Sequence, residues 1–311
     1  MTRAPAQHGL KAQGLGPAGG APGANASTSV QEGPLAIVAG GGAFPAAVAE
    51  AVRAQGRDVL LLLMKGFADP ALERYPHHWF RLGSLGSVSA VARARGVRDV
   101  VMVGTLTRPR LSDLGLDWTT IRLLPRVARL LRGGDNHLLS GVLGLVAEQG
   151  FHLIGAHEAV PGLLLPEGVL GHVQPSAEQQ ADIALGLSVV HTLGPFDVGQ
   201  GVIVVNGFVA AVEAAEGTDA VLARYEALRT SGRLRFPMRA GVLVKAPKPD
   251  QDRRVDLPSL GPGTVACAAR AGLAGIAFEA GGVIVPDPQE LVRAADAAGL
   301  FVLGVAPGGR A

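Results

Sequence analysis

Lys245, Lys248, Arg253, Arg254 and Asp256 fall within one short stretch, "VKAPKPDQDRRVDLPSLGPG" over 244–263, beside Asp250 and Asp252. Pro247, Pro249 and Pro258, with a closing Gly-Pro-Gly, make it a poor helix and a poor strand. Lys245 leaves the end of an apolar run. The prolines hold the next residues extended, so Lys248 is expected to point off the sheet on a stiff backbone. Ammonium groups placed this way meet phosphate oxygens as point charges. Asp256 sits between Val255 and Leu257-Pro258, a carboxylate in apolar company. Burying a lone carboxylate is costly, so it needs a cation, backbone donors or a metal. A structural ion pair with Arg253, Arg254 or a lysine would serve as well, and the residues alone leave both readings open.

Two further groups carry candidate chemistry. In "AGGGAFP", Gly40, Gly41, Gly42 and Ala43 lie between an apolar run and an Ala-rich stretch. That places backbone N–H groups at a helix N-terminus, where a phosphate can bind. The dinucleotide fingerprint is incomplete, because Ala46 replaces its last glycine and Met64, Lys65 and Gly66 stand where a ribose-binding acid is expected. A nicotinamide enzyme is disfavoured. A nucleotide or diphosphate at this turn is the preferred reading, against a tight turn with no ligand. In "VEAAEGTD", Glu213, Glu216 and Asp219 offer oxygen ligands suited to Mg²⁺ or Mn²⁺. The competing reading is a solvated Glu216 and an Asp219 that complements a helix dipole.

The remaining reactive residues are less suggestive. His77 and His78 read as a surface loop, and His157 in "GAHE" as a satisfied structural histidine. Cys267 in "TVACAARAG" reads as core. One cysteine excludes an internal disulfide and fits a reducing compartment. No G-x-S-x-G elbow or H-E-x-x-H motif is present.

The elements that must position these groups follow from apolar pattern. "PLAIVAGGGAFPAAVAEAVRAQG" predicts strand, turn and helix. "RDVLLLLMKG" and "VRDVVMVGTLTRP" predict buried strands, with "SLGSVSAVARARG" a helix between them. Strands apolar on both faces, alternating with helices, imply a parallel sheet covered on both sides. Residues 121–150 read as helical and "FHLIGAHEAVPGLLLP" as a strand with a loop. Further on, Ser176 and Gln179 form a capping-box pattern. Asn206-Gly207 joins two apolar runs as a type I′ hairpin. Thr218 and Asp287 are expected helix caps, with Glu290 at the capping-box position of the second. "AGVLVKAP", "GGVIV" and "GLFVLGV" read as strands. The expected fold is α/β: a Rossmann-like parallel-sheet N-terminal domain over 34–155, a linker over 156–175, and a distinct mixed α/β C-terminal catalytic domain over 176–311. Residues 1–33 lack the large apolar side chains to pack and read as a disordered tail.

The chain has 311 residues, 48% of them apolar and 17% charged, with a net charge of +2. No Lys/Arg stripe interleaved with aromatics is present, so nucleic acid is not an expected partner. Mean hydropathy is +0.30, yet no apolar run reaches the ~18–20 residues of a membrane span.

Taken in order, "AGGGAFP", "GTLTRP", "GAHE", "DVGQGVIVVNGFVAAVEAAEGTDAVL" and "KAPKPDQDRRVDLPSLG" resemble the metal-dependent UDP-2,3-diacylglucosamine pyrophosphatases of the LpxI family, over about residues 34–307. The resemblance implies hydrolysis of UDP-2,3-diacylglucosamine to UMP and 2,3-diacylglucosamine 1-phosphate (lipid X), an early cytoplasmic step of lipid A biosynthesis. It implies a divalent cation, substrate held between two domains, and Asp256 as the essential carboxylate. Catalysis is then expected at Asp256 and Lys245. Substrate contacts are expected at Gly40, Gly41, Gly42, Ala43, Thr105, Arg108, Thr218 and Lys248. The expected ligands of Mg²⁺ or Mn²⁺ are Asp256, Glu213 and Asp219; this set and the two lysines rest on chemistry, not on the resemblance. A homodimer in transient contact with the inner-membrane surface is the expected assembly. The N-terminal tail departs from the family pattern. A nucleotide-sugar-binding regulatory protein without turnover is the alternative.

Overall fold

A computed structural model describes residues 33–81, 83–105, 135–249 and 251–308. The expectations for a tail over 1–32, for Arg108 and for helix over 121–134 lie outside the described residues.

Leu35–Ala39 (β1), Val59–Met64 (β2) and Asp99–Val103 (β4) are the apolar runs that the sequence marks as buried strands. They join His77–Phe80 (β3) and His152–Leu153 (β5) in a parallel sheet of order β3-β2-β1-β4-β5. Alternate side chains serve opposite faces. Leu35, Ile37, Leu61, Leu63 and Val101 pack with Val48, Ala49 and Val52 of helix α1 (Phe44–Ala54). Ala36, Leu60, Leu62 and Val100 face the other way, onto Ala92 of α2 (Leu85–Ala94) and Leu143 of α3 (Asp135–Glu148). Helices on both faces explain why these strands read as unbroken apolar runs.

His77 and His78 correct the expectation of a surface loop. They open β3, paired in parallel with Leu61 and Leu62. The four-residue edge strand HHWF is half-buried throughout, so its sequence carries no apolar run to announce it.

The second sheet has the order β6-β11-β10-β9-β7-β8. It comprises Gly168–Leu170 (β6), Gly201–Val205 (β7), Phe208–Val212 (β8), Val242–Lys245 (β9), Gly275–Glu279 (β10) and Phe301–Val305 (β11). Strands β9, β10 and β11 are parallel; β6, and β7 with β8, add antiparallel edges. "GGVIV" is not a strand, which corrects the sequence expectation. The strand is "GIAFE" just before it, and Ile284 makes only isolated bridges to Leu164 and Ser259. An apolar run by itself does not distinguish a ladder strand from a packed crossing segment.

Helix α5 (Ala177–Leu193) covers one face of this sheet through Ile183, Leu187 and Val190. Ser176 and Gln179 close the expected capping box. Helices α6 (Thr218–Thr230), α7 (Pro262–Arg270) and α8 (Pro288–Ala298) cover the other face, through Leu222, Val265 and Leu291 among others. Cys267 packs against that core. Asn206 and Gly207 take φ of 50° and 75°, as a type I′ turn requires. Buried Asp182 accepts from both of their amides, at 2.9 and 2.6 Å. Asp287 caps α8 through the Glu290 amide, while the Glu290 carboxylate turns to Arg293 instead of closing a capping box.

Residues 156–175, expected to link the halves, divide between them. The short helix α4 (Ala156–Ala159) and the turn Pro161–Leu163 pack into the first sheet's core through Ala156, Val160 and Leu163, and β6 pairs with β11 in the second.

Candidate active site

Asp256 lies on a half-buried loop with anchors in both halves of the molecule. Val255 packs on the Ala36–Leu60–Leu62 face of the first sheet, and Leu257 on its Leu35–Ile37 face. A chain that touches both faces within three residues must pass around the rim of the sheet. Arg253 acts electrostatically on His157, and Arg254 on Glu158, so the loop runs beside α4. Helix α4 follows the carboxyl end of β5. In a parallel sheet all carboxyl ends lie on one side, which puts Asp256 on the same side as the glycine turn after β1 and Thr105 after β4. The strand order reverses between β1 and β4, where open α/β sheets bind ligands.

The glycine turn uses part of its own donor capacity. Gly40 donates to Val103 O at 2.8 Å, and Gly41 and Thr105 exchange amide bonds of 2.9 Å. Gly40 and Gly41 therefore stitch the β1 turn to the β4 exit rather than offering free amides. Gly42 and Ala43 differ: both are exposed, and among the described residues no acceptor takes their N–H groups. Gly42 has φ +88°, a conformation that favours glycine. Close approach accounts for Gly40. A Cβ there would lie 2.7 Å from Thr105 O and 3.0 Å from Gly104 C. Gly40→Ala is thus expected to lower unfolding free energy by roughly 1–3 kcal/mol, because backbone must move. Denaturant unfolding measures this, and an unchanged midpoint would show that the turn has slack.

The second sheet contributes a buried polar cluster. Lys245, at the end of β9, is 4% exposed. Its Nζ donates to Thr218 Oγ1 at 2.7 Å and to Ser259 O at 3.1 Å. Thr218 Oγ1 in turn donates to Glu213 Oε1 at 3.2 Å. Burial pushes the Lys245 pKa below the usual lysine range, partly opposed by the charges of Glu213 and Asp219. Thr218 corrects one expectation: Gly217 is the cap of α6, and the Thr218 hydroxyl turns inward to Lys245 and Glu213. A buried ammonium outcompetes the local capping role.

Glu213 is 8% exposed, and its Oε2 has no hydrogen-bond partner among the described residues. Asp219 is exposed in the first turn of α6. Glu216 pairs with Arg224 at 2.7 Å. Lys248 does not project freely: its Nζ meets Asp197 Oδ1 at 2.5 Å, and its amide donates to Gln251 Oε1. Arg254 is paired with Asp252 at 2.7 Å, and Arg253 donates to Gly281 O. The structure thus brings Lys245, Thr218 and Glu213 together, with Asp219 near enough to act on the lysine. It turns Lys248 toward Asp197.

Sequence reasoning missed Ser259, which presents a carbonyl to Lys245, and Asp197, which neutralises Lys248; neither has a local signature. His157 departs from the satisfied structural histidine that its sequence suggests. Its Nδ1 is buried and unpartnered among the described residues, and burial lowers its pKa, with Glu158 opposing and Arg253 reinforcing the shift.

Among the described residues no three His, Cys, Asp or Glu side chains gather into a metal-binding group. Mg²⁺ is commonly held by one or two carboxylates and completes its shell with substrate phosphate and water. The unpartnered Glu213 oxygen, with Asp219 and Asp256 as further oxygen donors, fits that requirement chemically.

Residues 34–163 match the model of the LpxI N-terminal domain, and 166–303 that of the LpxI C-terminal domain. The UDP-2,3-diacylglucosamine pyrophosphatase LpxI of Caulobacter vibrioides is 45% identical over 273 residues, covering 88% of this chain and 98% of that protein. Solved structures give only remote likeness. CobK precorrin-6A reductase is 10% identical over 88% of each chain, with a TM-score of 0.30. UDP-glucose 4-epimerase of Thermus thermophilus is 15% identical over 88% of this chain and 86% of its own, with a TM-score of 0.29. Both halves match in order and the curated relative is covered almost end to end, so the chain belongs to the LpxI family.

Proposed function

We propose that this protein hydrolyses the diphosphate of UDP-2,3-diacylglucosamine to UMP and 2,3-diacylglucosamine 1-phosphate. The observation that carries the reading is 45% identity to a UDP-2,3-diacylglucosamine pyrophosphatase across 98% of that relative's length. The placement of Asp256 on the carboxyl-end side of the first sheet, the side of its switch point, supports it.

The diphosphate lies at the carboxyl end of that sheet. The unclaimed Gly42 and Ala43 amides, at the N-terminus of α1, donate to its oxygens. Thr105, stitched to Gly41, shapes the same wall. Asp256 orients water and takes its proton as the water oxygen attacks the sugar-side phosphorus. The P–O–P bridge breaks and UMP leaves with the bonding pair. Mg²⁺ or Mn²⁺, held by Asp256 with Glu213 or Asp219, would supply charge neutralisation of the diphosphate. The lysines expected to do so are engaged elsewhere: Lys245 with Thr218 and Ser259, Lys248 with Asp197. Cytoplasmic location, transient contact with the inner-membrane surface and a homodimer belong to the same reading. Among the described residues no helix is long and apolar enough to cross a membrane.

The test is UMP release from UDP-2,3-diacylglucosamine by the purified protein with Mg²⁺ or Mn²⁺. Stoichiometric UMP and 2,3-diacylglucosamine 1-phosphate are expected. Binding without turnover would instead make the chain a nucleotide-sugar-binding regulator.

A further inference from the structure

Lys245 is remote in role from the phosphate contact that its sequence suggests. It is 4% exposed, and two of its three N–H groups are spent on protein acceptors. One acceptor, the Ser259 carbonyl, lies three residues beyond Asp256 on the same loop. The backbone around it is also tied to the 281–285 segment: Leu260 donates to Ile284 O at 3.0 Å and Ile284 to Pro258 O at 2.9 Å. Ile284 and Leu257 sit in the first sheet's core. The Asp256 loop is therefore held on one side by Val255 and Leu257 and on the other by Ser259 and its neighbours.

The lysine head is itself fixed from behind. Thr218 Oγ1 accepts from it, and so must give its own proton to Glu213 Oε1. Glu213 is seated over Gly201, where any Cβ would collide with its Oε2. This chain of bonds runs from the end of β8 through α6 and β9 to the Asp256 loop; Glu213 and Lys245 within it are buried and Thr218 is half-buried, while Ser259 itself is exposed.

We propose that Lys245 is a positioning residue, which holds Asp256 in place through the Ser259 carbonyl and is itself oriented by Thr218 and Glu213. This rests on the reading that Asp256 performs the hydrolysis. Misplacing a reacting group by about 1 Å costs on the order of a hundredfold in rate. Losing the tether should therefore lower turnover while leaving the substrate's own contacts intact.

Lys245→Met keeps the length of the side chain and removes its donors. The expected result is a fall in kcat on the order of a hundredfold, a KM within about threefold of the parent, and faster hydrogen exchange at the Leu260 and Ile284 amides. Thr218→Val keeps Lys245 and removes the bridging hydroxyl, and should give the same pattern at smaller size; it stands in if Lys245→Met does not fold. A KM raised tenfold or more with unchanged exchange would overturn the proposal, because Lys245 would then be touching substrate. So would unchanged kcat and exchange in the folded variants. The exchange measurement needs no turnover, so the tether is judged even if Asp256 proves dispensable, and an active Asp256→Asn protein would refute the underlying reading alone.

Discussion

Asp256→Asn is expected to fold like the parent protein and to lose hydrolysis by about 10³-fold or more, equivalent to about 4 kcal/mol of transition-state stabilisation. The amide is isosteric with the carboxylate, so the loop's anchors are untouched. Val255 and Leu257 still pack on the two faces of the first sheet, and the residue's own amide still donates to Asp252 O at 3.1 Å. What disappears is the negative charge and the basic oxygen. Matching circular dichroism and melting curves, set beside UMP release, separate the two effects. A folded variant that keeps more than about a tenth of the rate would make Asp256 a structural carboxylate, since that loss is under about 1.4 kcal/mol.

Exhaustive chelation should abolish turnover, and Mg²⁺ or Mn²⁺ should restore it. The argument is one of charge. A diphosphate must be neutralised before water can attack it. The described cations of the 244–263 segment are already occupied: Lys245 by Thr218 and Ser259, Lys248 by Asp197, Arg253 by Gly281 and Arg254 by Asp252. An ion bound through oxygen would supply the missing charge, and the unpartnered Glu213 oxygen is suited to a hard cation. Zn²⁺-type chemistry is not expected, because thiolate and clustered imidazole ligands are lacking among the described residues. Full activity in metal-free buffer, verified by elemental analysis, would sink this expectation.

The features legible in the sequence are those fixed within a few residues of one another. Continuous apolar runs announced β1, β2 and β4, because strands covered on both faces have no polar side to show. Asn206-Gly207 announced its hairpin, because positive φ restricts residue choice. Ser176 and Asp287 announced their helices, because an orphan amide two or three residues on needs an acceptor. The motifs also sufficed to suggest the family.

Tertiary structure decided where the charges went. Nothing local to Lys248 predicts Asp197, which lies 51 residues away. Nothing local to Lys245 marks the Ser259 carbonyl as its partner, and Thr218 looked like a cap until the fold set a buried ammonium beside it. Gly40 and Gly41 looked like free donors, but the approach of β4 consumed their amides. "HHWF" became a strand only because β2 offered an open edge, whereas "GGVIV" was denied a ladder because "GIAFE" already filled the place between β9 and β11. The physical reason is common to all of these. A hydrogen bond or ion pair is directional and short-ranged, so its partner is chosen by which groups the packed core brings within about 3 Å, whereas apolar burial is non-directional and writes its period into the chain itself.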